Sequence, residues 1–292
     1  VTSNQTSSTP VGANAFVPAN GVAANYLSND AFTNTTAASL NVTYTVVGTS
    51  AAGCVGSSQV ITITINPEPV VATTLDATRC SDVSIALTLN TNGTSVAAAN
   101  YNITSLTVAP GLTPGAGNAV VPTNGVATNF LVNDVYTNTG ASPLTAVYTV
   151  VPVSAAGCLG NARNITITIN PEPVVSTTLN AAVCSDAAIG LTLATNGASV
   201  AASVYDVTAR TIDVGLVAAG TNVAVPANGV TAGYFATDMF SNTGALPLTV
   251  TYTVVPISAA GCSGNPQVIT MTINPEPVVS TLLDATVCSD VA

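Results

Sequence analysis

Residues 165–173 read Ile-Thr-Ile-Thr-Ile-Asn-Pro-Glu-Pro, and this stretch decides the fold class. Isoleucine and threonine alternate with a period of two, the pattern of a β-strand with one face toward a core and the other toward water. Both residue types are β-branched and favour extended backbone. The Pro-Glu-Pro that follows cannot continue a central strand, because proline has no backbone N–H. The stretch therefore predicts a strand with Ile facing the core and Thr facing water, followed by a short, stiff connector.

The same stretch recurs along the chain at a constant spacing. Asn-Pro-Glu-Pro begins at residues 66, 170 and 274, and 170 − 66 and 274 − 170 both equal 104. Such a period exceeds the roughly 20–50 residues of solenoid units, so each repeat is predicted to be a whole domain. We predict a partial module over residues 1–65, complete modules over 66–169 and 170–273, and the start of a further module over 274–292.

The two ends do not add up to a third complete module. Residue 292 corresponds to residue 84 and residue 1 to residue 105, so the counterpart of residues 85–104 is missing. Two explanations stay open. Either the chain is cut from a longer array, or separate subunits complete one another by exchanging strands, since strand addition to an exposed edge is a known route of association.

The local pattern of residues 66–169 predicts β-structure throughout. Alternation and turn residues predict seven short strands, near residues 70–77, 84–90, 101–108, 119–121, 126–132, 145–151 and 164–169. Asn124-Gly125 suits a two-residue hairpin. Seven strands in about 100 residues indicate an immunoglobulin-like sandwich. We classify the chain as all-β, with tandem immunoglobulin-like β-sandwich modules of 104 residues joined by short linkers built on Pro67, Glu68, Pro69, Pro171, Glu172, Pro173, Pro275, Glu276 and Pro277.

The composition excludes several classes of function. The chain has 292 residues, with 3 Lys+Arg, 13 Asp+Glu, no His and a net charge of −10. Nucleic acids and anionic membrane surfaces need clustered basic residues, so neither is predicted as a partner. No apolar run reaches the roughly 20 residues of a membrane span, so membrane insertion is not predicted. Nucleophilic catalysis needs a positioned base, and the chain has neither His nor Lys, so we do not predict an enzyme.

The six cysteines fall into two repeated classes. Gly-Cys-x-Gly holds Cys54, Cys158 and Cys262, and Cys-Ser-Asp holds Cys80, Cys184 and Cys288. Without a Cys-x-x-Cys pair or a histidine, zinc binding is disfavoured, and disulfides in an exported protein are predicted. The strand order places the two classes at opposite ends of a sandwich. Two pairings stay open: Cys80 with Cys262 of the following module, across the linker, or Cys80 with Cys158 inside one module.

Repeated carboxylates and tyrosines are the remaining candidate residues. Asp82, Asp186 and Asp290 follow Cys-Ser, whereas Asp30, Asp134 and Asp238 stand two residues before an aromatic. A glycosidase needs two carboxylates about 5–9.5 Å apart in a cleft. Enzymes seldom copy an active site along an array, so turn capping is predicted instead.

A cation site and a sugar-stacking site are the sharper alternatives. Calcium at the joints, held by Glu68, Asp82 and nearby carbonyls, is a candidate, although clustered Asp-x-Asp spacing is missing. No other cofactor is predicted. Tyr44, Tyr148 and Tyr252 are predicted to be core aromatics, or to have a hydroxyl tied to a neighbouring corner, with sugar stacking as the alternative.

Residues 148–173, followed by Cys184-Ser-Asp, carry a family resemblance. They resemble the PKD-like or immunoglobulin-like tandem repeats of giant secreted surface proteins in Bacteroidota, including gliding-motility adhesins. The resemblance implies a sandwich fold, export across the outer membrane, often by the type 9 pathway, and a location at the cell surface. The chain departs from the pattern in having no Trp, and in Cys-Ser-Asp where Cys-Ser-Gly is more usual.

These observations predict a structural role. The modules would form an extracellular filament or stalk that supports adhesion, with gliding motility as one setting and with neighbouring modules or further copies of the chain as partners. One alternative is that the modules bind glycans or another cell surface through loops such as residues 109–118, which differ between repeats. The other is a fibre of strand-exchanged subunits.

Overall fold

The computed structural model describes residues 1–5, 9–277, 279 and 286, and all regular secondary structure in that part of the chain is β-strand. The all-β class predicted from the Ile-Thr alternation is therefore confirmed. The chain forms two compact units. One contains residues 1–136 and 145–169, and the other contains residues 137–144 and 170–292.

Residues 1–65 form a small antiparallel sheet and a separate pair of two short antiparallel strands. The sheet has the order β1-β4-β5, and β2 pairs with β3. The five strands are β1 (Thr2–Gln5), β2 (Thr9–Val11), β3 (Ala31–Thr33), β4 (Leu40–Thr49) and β5 (Val55–Ile65).

Residues 66–169 contain a five-stranded sheet with the order β6-β12-β11-β7-β9, and a two-stranded pair of β8 and β10. The strands are β6 (Ala77–Cys80), β7 (Ala98–Val108), β8 (Thr113–Pro114), β9 (Thr123–Val126), β10 (Tyr136–Thr137), β11 (Leu144–Ser154) and β12 (Arg163–Asn170).

Residues 170–273 repeat this architecture. The sheet order is β13-β19-β18-β14-β16, with β13 parallel to β19, and β15 pairs with β17. The strands are β13 (Ala181–Cys184), β14 (Ala202–Ile212), β15 (Val217–Ala218), β16 (Ala227–Val230), β17 (Phe240–Ser241), β18 (Leu248–Ser258) and β19 (Gln267–Asn274).

The alternation in β12 sets the buried face of its module. Its three isoleucines, at 165, 167 and 169, are fully buried, and the threonines between them are half-buried. The same sequence in β5 behaves differently. Ile61 is 45% exposed and Ile63 is 39% exposed. The strand pattern is therefore local, whereas burial depends on the layer that faces it.

The facing layer is less regular than the alternation predicts. Residues 84–90 form no strand, but their backbone bonds to residues 128–134, with Ile85 N–H donating to Asp134 O at 2.8 Å and Leu89 N–H to Thr128 O at 2.8 Å. Because 128–134 is a run of turns, it offers no continuous ladder. Ile85 and Leu89 still point inward and are buried.

Several predicted strand positions are wrong. Residues 70–77 contribute an isolated bridge between Val71 and Thr91, and the strand β6 begins where that prediction ends. Residues 119–121 and 127–132 form turns and coil, and of the predicted strand at 126–132 only Val126 lies in a strand, at the end of β9.

Asn124-Gly125 is not a hairpin turn, because both residues lie inside β9. There the β7–β9 register shifts between Tyr101 and Ile103, and Gly125 takes a φ of 69°. The positive φ that suits a type I′ turn also suits a bulge.

The core of residues 170–273 is apolar and aromatic. Phe235 and Tyr252 stack with ring centroids 4.1 Å apart. Around them pack buried residues of both layers, including Ile189, Leu193, Val207, Phe240, Val250, Ile269 and Met271.

Candidate functional site: the joints between modules

The Pro-Glu-Pro linkers are held by hydrogen bonds to the module before them. Proline has no N–H, so the glutamate is the only backbone donor in the tripeptide. Glu68 N–H donates to Asn34 O at 2.8 Å, Glu172 N–H to Asn138 O at 3.0 Å, and Glu276 N–H to Asn242 O at 3.1 Å. Every linker therefore uses its one backbone donor in the same way.

The accepting asparagine organises its own module. Asn242 is fully buried, and its Nδ2 donates to Leu246 O at 3.0 Å and to Ile273 O at 2.8 Å. Its Oδ1 accepts the N–H of Gly244 at 3.0 Å. Asn34 makes the corresponding bonds. This side chain ties the loop before the penultimate strand to the end of the last strand, and its carbonyl is thereby aimed at the linker.

A second backbone bond lies beside each of the first two linkers. Val96 N–H donates to Thr36 O at 3.1 Å, and Val200 N–H donates to Gly140 O at 3.0 Å. Asn138 and Gly140 belong to the repeat of residues 66–169 but lie in the second compact unit. Each of these joints is therefore held at two points by groups of the preceding repeat.

The structural role of Asn34, Asn138 and Asn242 was not predicted from the sequence. The signal was present, since Asn-Thr recurs there with the 104-residue spacing. In a Thr- and Asn-rich chain, however, only the structure distinguishes a buried amide from a turn residue.

The loop before the last strand packs onto the linker from the other side. Gly160 N–H donates to Pro152 O at 2.9 Å, and a Cβ at Gly160 would lie 1.8 Å from Pro69 O. At Gly264 the corresponding distance to Pro173 O is 1.9 Å. Real Cβ contacts are never so short, so the second glycine of Gly-Cys-x-Gly is required by the approach of the linker backbone.

We expect Gly160→Ala to lower the free energy of unfolding by about 1–3 kcal/mol, because linker or loop must move to admit the methyl group. The measurement is urea unfolding followed by tyrosine fluorescence. Gly56→Ala is the matched control, since Gly56 occupies the same repeat position and its Cβ would meet only Gly48 O at 3.4 Å. Equal losses in both variants would contradict this account.

The cysteines take two defined positions. Cys80 and Cys184 end β6 and β13. Cys54, Cys158 and Cys262 lie in turns where their N–H donates to Oγ of Ser50, Ser154 and Ser258, at 3.1, 3.1 and 3.2 Å.

Their covalent states differ. Cys80 and Cys262 are disulfide-bonded, whereas Cys54, Cys158 and Cys184 are free. Cys288 lies outside the described residues. Because Cys158 is free, the pairing of Cys80 with Cys158 inside one module is not formed.

The aspartates of Cys-Ser-Asp sit in turns with left-handed backbone. Asp82 has a φ of 60° and Asp186 a φ of 59°. That conformation explains why glycine suits this position, and Asp is among the few other residues that tolerate it. Asp186 also accepts a hydrogen bond from Ser241 Oγ. Asp290 lies outside the described residues.

The second set of aspartates lies beneath the repeated tyrosines. Asp134 is buried, and it accepts Ala119 N–H at 2.8 Å and Tyr148 OH at 2.5 Å. Tyr44 donates to Asp30 at 2.6 Å and Tyr252 to Asp238 at 2.5 Å. The pKa of the phenol is raised in all three tyrosines. Burial is the largest cause, and the hydrogen bond to the carboxylate is the second. Asp134 and Asp238 are thus used in holding a core tyrosine and a loop, and they are closed to a substrate.

The buried tyrosine–aspartate pair has different further partners in the two complete modules. In residues 170–273, Arg210 Nη1 lies 3.2 Å from Asp238 Oδ2. The repeat equivalent of Arg210 is Leu106, and that module instead has Tyr136, whose hydroxyl lies 2.5 Å from Tyr148 OH. Phe240 replaces Tyr136 in the module that has the arginine. Neither partner was predicted from the sequence.

The described residues bring no three Cys, Asp or Glu side chains into a group that would hold a metal ion. Glu68 and Asp82, the calcium candidates, are therefore not part of such a group. Oε1 of Glu68 is buried, and within the described structure it has no hydrogen-bond partner. Membrane-spanning helices of sufficient length and apolarity are likewise not found in the described part of the chain.

Comparison with known proteins gives one family. A model described as PKD-like domain matches residues 16–69, 77–173 and 181–277. No curated protein matches the chain.

Several solved structures are distantly similar to the chain. Human CDH23 EC21-23 is 14% identical, with 72% of this chain and 69% of that one covered, and Drosophila N-cadherin EC1-4 is 15% identical, with 85% and 60% covered. Chicken CNTN1 FN1-FN3 is 13% identical, with 80% and 75% covered. The TM-score is 0.27 in each case, too low to carry an argument.

Proposed function

The chain belongs to the PKD-like domain family, and from that premise we propose that it is the structural repeat region of an extracellular cell-surface filament or stalk that supports adhesion. PKD-like repeats are typical of extracellular regions with adhesive or structural roles, and they are generally not enzymes. Gliding motility is one setting in which such a stalk would act.

The observation that carries the proposal is the repeated bonding of the linkers. At each of the three linkers the only backbone donor, that of Glu68, Glu172 or Glu276, bonds to an asparagine carbonyl of the preceding module. Pro171, Glu172 and Pro173 are also buried. A flexible tether would leave these groups in water. A linker that uses its one backbone donor in the same way at every repeat suits a stalk built from many similar modules.

The composition supports an extracellular stalk. With 3 basic residues in 292, the chain offers proteases of trypsin specificity few cleavage points. A net charge of −10 makes neighbouring stalks repel one another and disfavours nonspecific association.

Immunogold electron microscopy of unpermeabilised source cells tests the proposal. With antibody raised against residues 66–273, we expect gold particles on filaments that extend from the cell. The matched control is antibody absorbed with the same residues. Gold confined to the cell interior after sectioning, with an unlabelled surface, would contradict the proposal.

A fibre of strand-exchanged subunits is the alternative arrangement of the same modules. Surface material boiled in SDS, with and without reductant, separates this alternative from a single giant chain. We expect a band of giant mass in both lanes of an agarose gel. A species near 28.7 kDa would indicate polymerised subunits instead.

A glycan-binding role for residues 109–118 receives less support. The repeat equivalents of this loop differ in sequence, but Asn118 anchors it by paired 2.8 Å bonds with Val135, and Asn222 does the same with Met239 at 2.9 Å. The loop is therefore anchored as part of the scaffold. Binding of residues 66–273 to a glycan array would support this second role.

A further inference from the structure

The first and last strands of residues 170–273 are neighbours and run in the same direction. β13 pairs with β19 in parallel, and the last pair of the register places Cys184 opposite Asn274. One Pro-Glu-Pro linker precedes β13 in the chain, and the next one follows β19. Tension that reaches this repeat through the chain therefore pulls β13 at its beginning and β19 at its end.

The parallel pairing decides how such tension acts on the bonds between the two strands. The two pulls act at opposite ends of the pair and in opposite directions, so the strands are drawn past each other along their length. Because the hydrogen bonds run across the strands, they carry the load together and must break nearly together. An antiparallel pair would instead be pulled at one end, and its bonds would break one at a time.

We propose that the β13–β19 pair is a mechanical clamp, which keeps residues 170–273 folded while the chain is under tension. The proposal deepens the stalk function and rests on it, because a stalk is under tension when the cell and the surface to which it adheres are pulled apart. Three of the four β13 side chains are exposed, so burial adds little to the hold of β13 on β19. The clamp consists mainly of backbone hydrogen bonds.

Two further hydrogen bonds lengthen the clamp beyond the register of β13. At its beginning, Thr270 N–H donates to Oδ1 of Asn180 at 2.8 Å. At its end, Ser185 N–H donates to Asn274 O at 2.9 Å. The side-chain amide of Asn180 thus takes the place of a strand carbonyl, and the bonds to β19 extend over residues 180–185.

Residues 66–169 contain the same first bond. Their first strand, β6, lies beside their last strand, β12. Thr166 N–H donates to Oδ1 of Asp76 at 2.8 Å, and these two residues are the repeat equivalents of Thr270 and Asn180. A carboxylate and an amide both supply the accepting oxygen, so the position requires an acceptor and not a charge.

Residues 174–176 precede the clamp on the path of the load. Asn196 N–H donates to Val174 O and Ser176 N–H donates to Ala194 O, both at 2.9 Å. Loss of these two backbone bonds would lengthen the chain between the linker and β13. It would leave β13 bonded to β19, so the clamp is tested by a pull that begins after residue 176.

Single-molecule pulling on the full chain in two directions tests the clamp. Azide-bearing amino acids at exposed positions carry the handles. Thr177, which lies between residues 174–176 and β13, carries the first handle in both arrangements. The second handle is placed at Pro277, beyond the end of β19, or at Asn265, before its beginning. The first arrangement draws the two strands past each other, whereas the second opens the pair from one end.

We expect the rupture force to be roughly threefold higher or more with handles at Thr177 and Pro277, because several bonds then share the load and the rate of forced unfolding falls. Handles at Thr177 and Asn265 are the matched control, since the folded chain is the same. Equal rupture forces in the two arrangements would overturn the proposal.

Two proline variants test whether the backbone bonds of β13 carry the load. N–H groups of successive strand residues point to opposite sides, and Ser185 N–H points to β19. Val183 N–H therefore points to β19 as well, whereas Ala182 N–H points away from it, at the edge of the sheet. Proline removes the N–H in either position.

With handles at Thr177 and Pro277, we expect Val183→Pro to lower the rupture force by about half or more, because a bond of the clamp is lost. Ala182→Pro should leave the force nearly unchanged, and equal forces in the two variants would contradict the role of these bonds. If Val183→Pro fails to fold, the comparison of the two pulling directions still decides the proposal. A failed pulling test leaves the surface labelling unaffected, so the clamp and the stalk fail separately.

Discussion

Asp238→Ala is expected to destabilise the module of residues 170–273 by about 3–5 kcal/mol, the cost of removing one partner from a buried ion pair. Asp238 is fully buried and serves three donors: Tyr252 OH at 2.5 Å, Arg210 Nη1 at 3.2 Å and Val223 N–H at 2.8 Å. Alanine removes an acceptor shared by a guanidinium, a phenol and an amide. The guanidinium keeps Val223 O at 3.0 Å but loses its counter-charge, and the phenol and the amide bear their desolvation cost.

Differential scanning calorimetry of the full chain measures this loss, and two variants calibrate it. Asp206→Ala removes a half-buried carboxylate that accepts Gly229 N–H at 2.7 Å, so its cost should be about 1 kcal/mol. Asp134→Ala removes the acceptor of Ala119 N–H and leaves Tyr148 OH with Tyr136 OH as its partner, but it strands no cation, so its loss should fall between the other two. A loss in Asp238→Ala no larger than that in Asp206→Ala would contradict the reading.

The sequence predicts the parts of this fold that depend on local pattern. Alternation assigns Ile165 to the core, because a strand presents successive side chains to opposite faces. Ile165 is indeed fully buried. Alternation does not say whether the backbone opposite is a ladder or a run of turns, so the 84–90 segment was predicted as a strand. Asn124-Gly125 shows the same limit, since a positive φ serves a hairpin or a bulge equally well.

The joints show what a sequence without tertiary information leaves open. Pro-Glu-Pro predicts a connector, and the absence of N–H groups in proline even identifies the one free donor. For the second linker the acceptor is the carbonyl of Asn138. This residue is far from the linker in sequence, and only the packing of its loop brings it there. The 104-residue spacing pairs Leu106 with Arg210 and Tyr136 with Phe240. That these differences supply two different partners for the buried tyrosine–aspartate pair follows only from the structure.

Alkaline unfolding is the second large effect that we expect, with stability falling steeply above pH 10. Burial raises the pKa of several tyrosines in the folded chain: Tyr44, Tyr101, Tyr136, Tyr148, Tyr205 and Tyr252. A phenol in the unfolded chain titrates near pH 10. Below that pH both states hold the proton, so the stabilisation is fully present. Above it the unfolded chain releases protons that the folded chain retains, and stability is lost as the pH rises.

The size of the effect follows from linkage. For each tyrosine that stays protonated in the folded chain, the free energy of unfolding falls by about 1.4 kcal/mol per pH unit above 10, or by about 2.7 kcal/mol at pH 12. The chain has no lysine, and arginine stays charged in this range, so few other side chains titrate there. Two or three such tyrosines in one module remove about 5–8 kcal/mol at pH 12, which is comparable with the lower part of the roughly 5–15 kcal/mol stability of an ordinary domain.

Absorbance at 295 nm, which reports tyrosinate, and far-ultraviolet circular dichroism together test this expectation. The absorbance of the buried tyrosines should rise in one cooperative step that coincides with loss of the sheet signal. Tyr252→Phe keeps the stacked ring but removes one titrating phenol and its bond to Asp238. It should be less stable than the parent at pH 7 by about 1 kcal/mol and should close that gap or overtake the parent near pH 12. Tyrosinate absorbance that reaches its full value while the sheet signal persists would show that burial does not hold these protons.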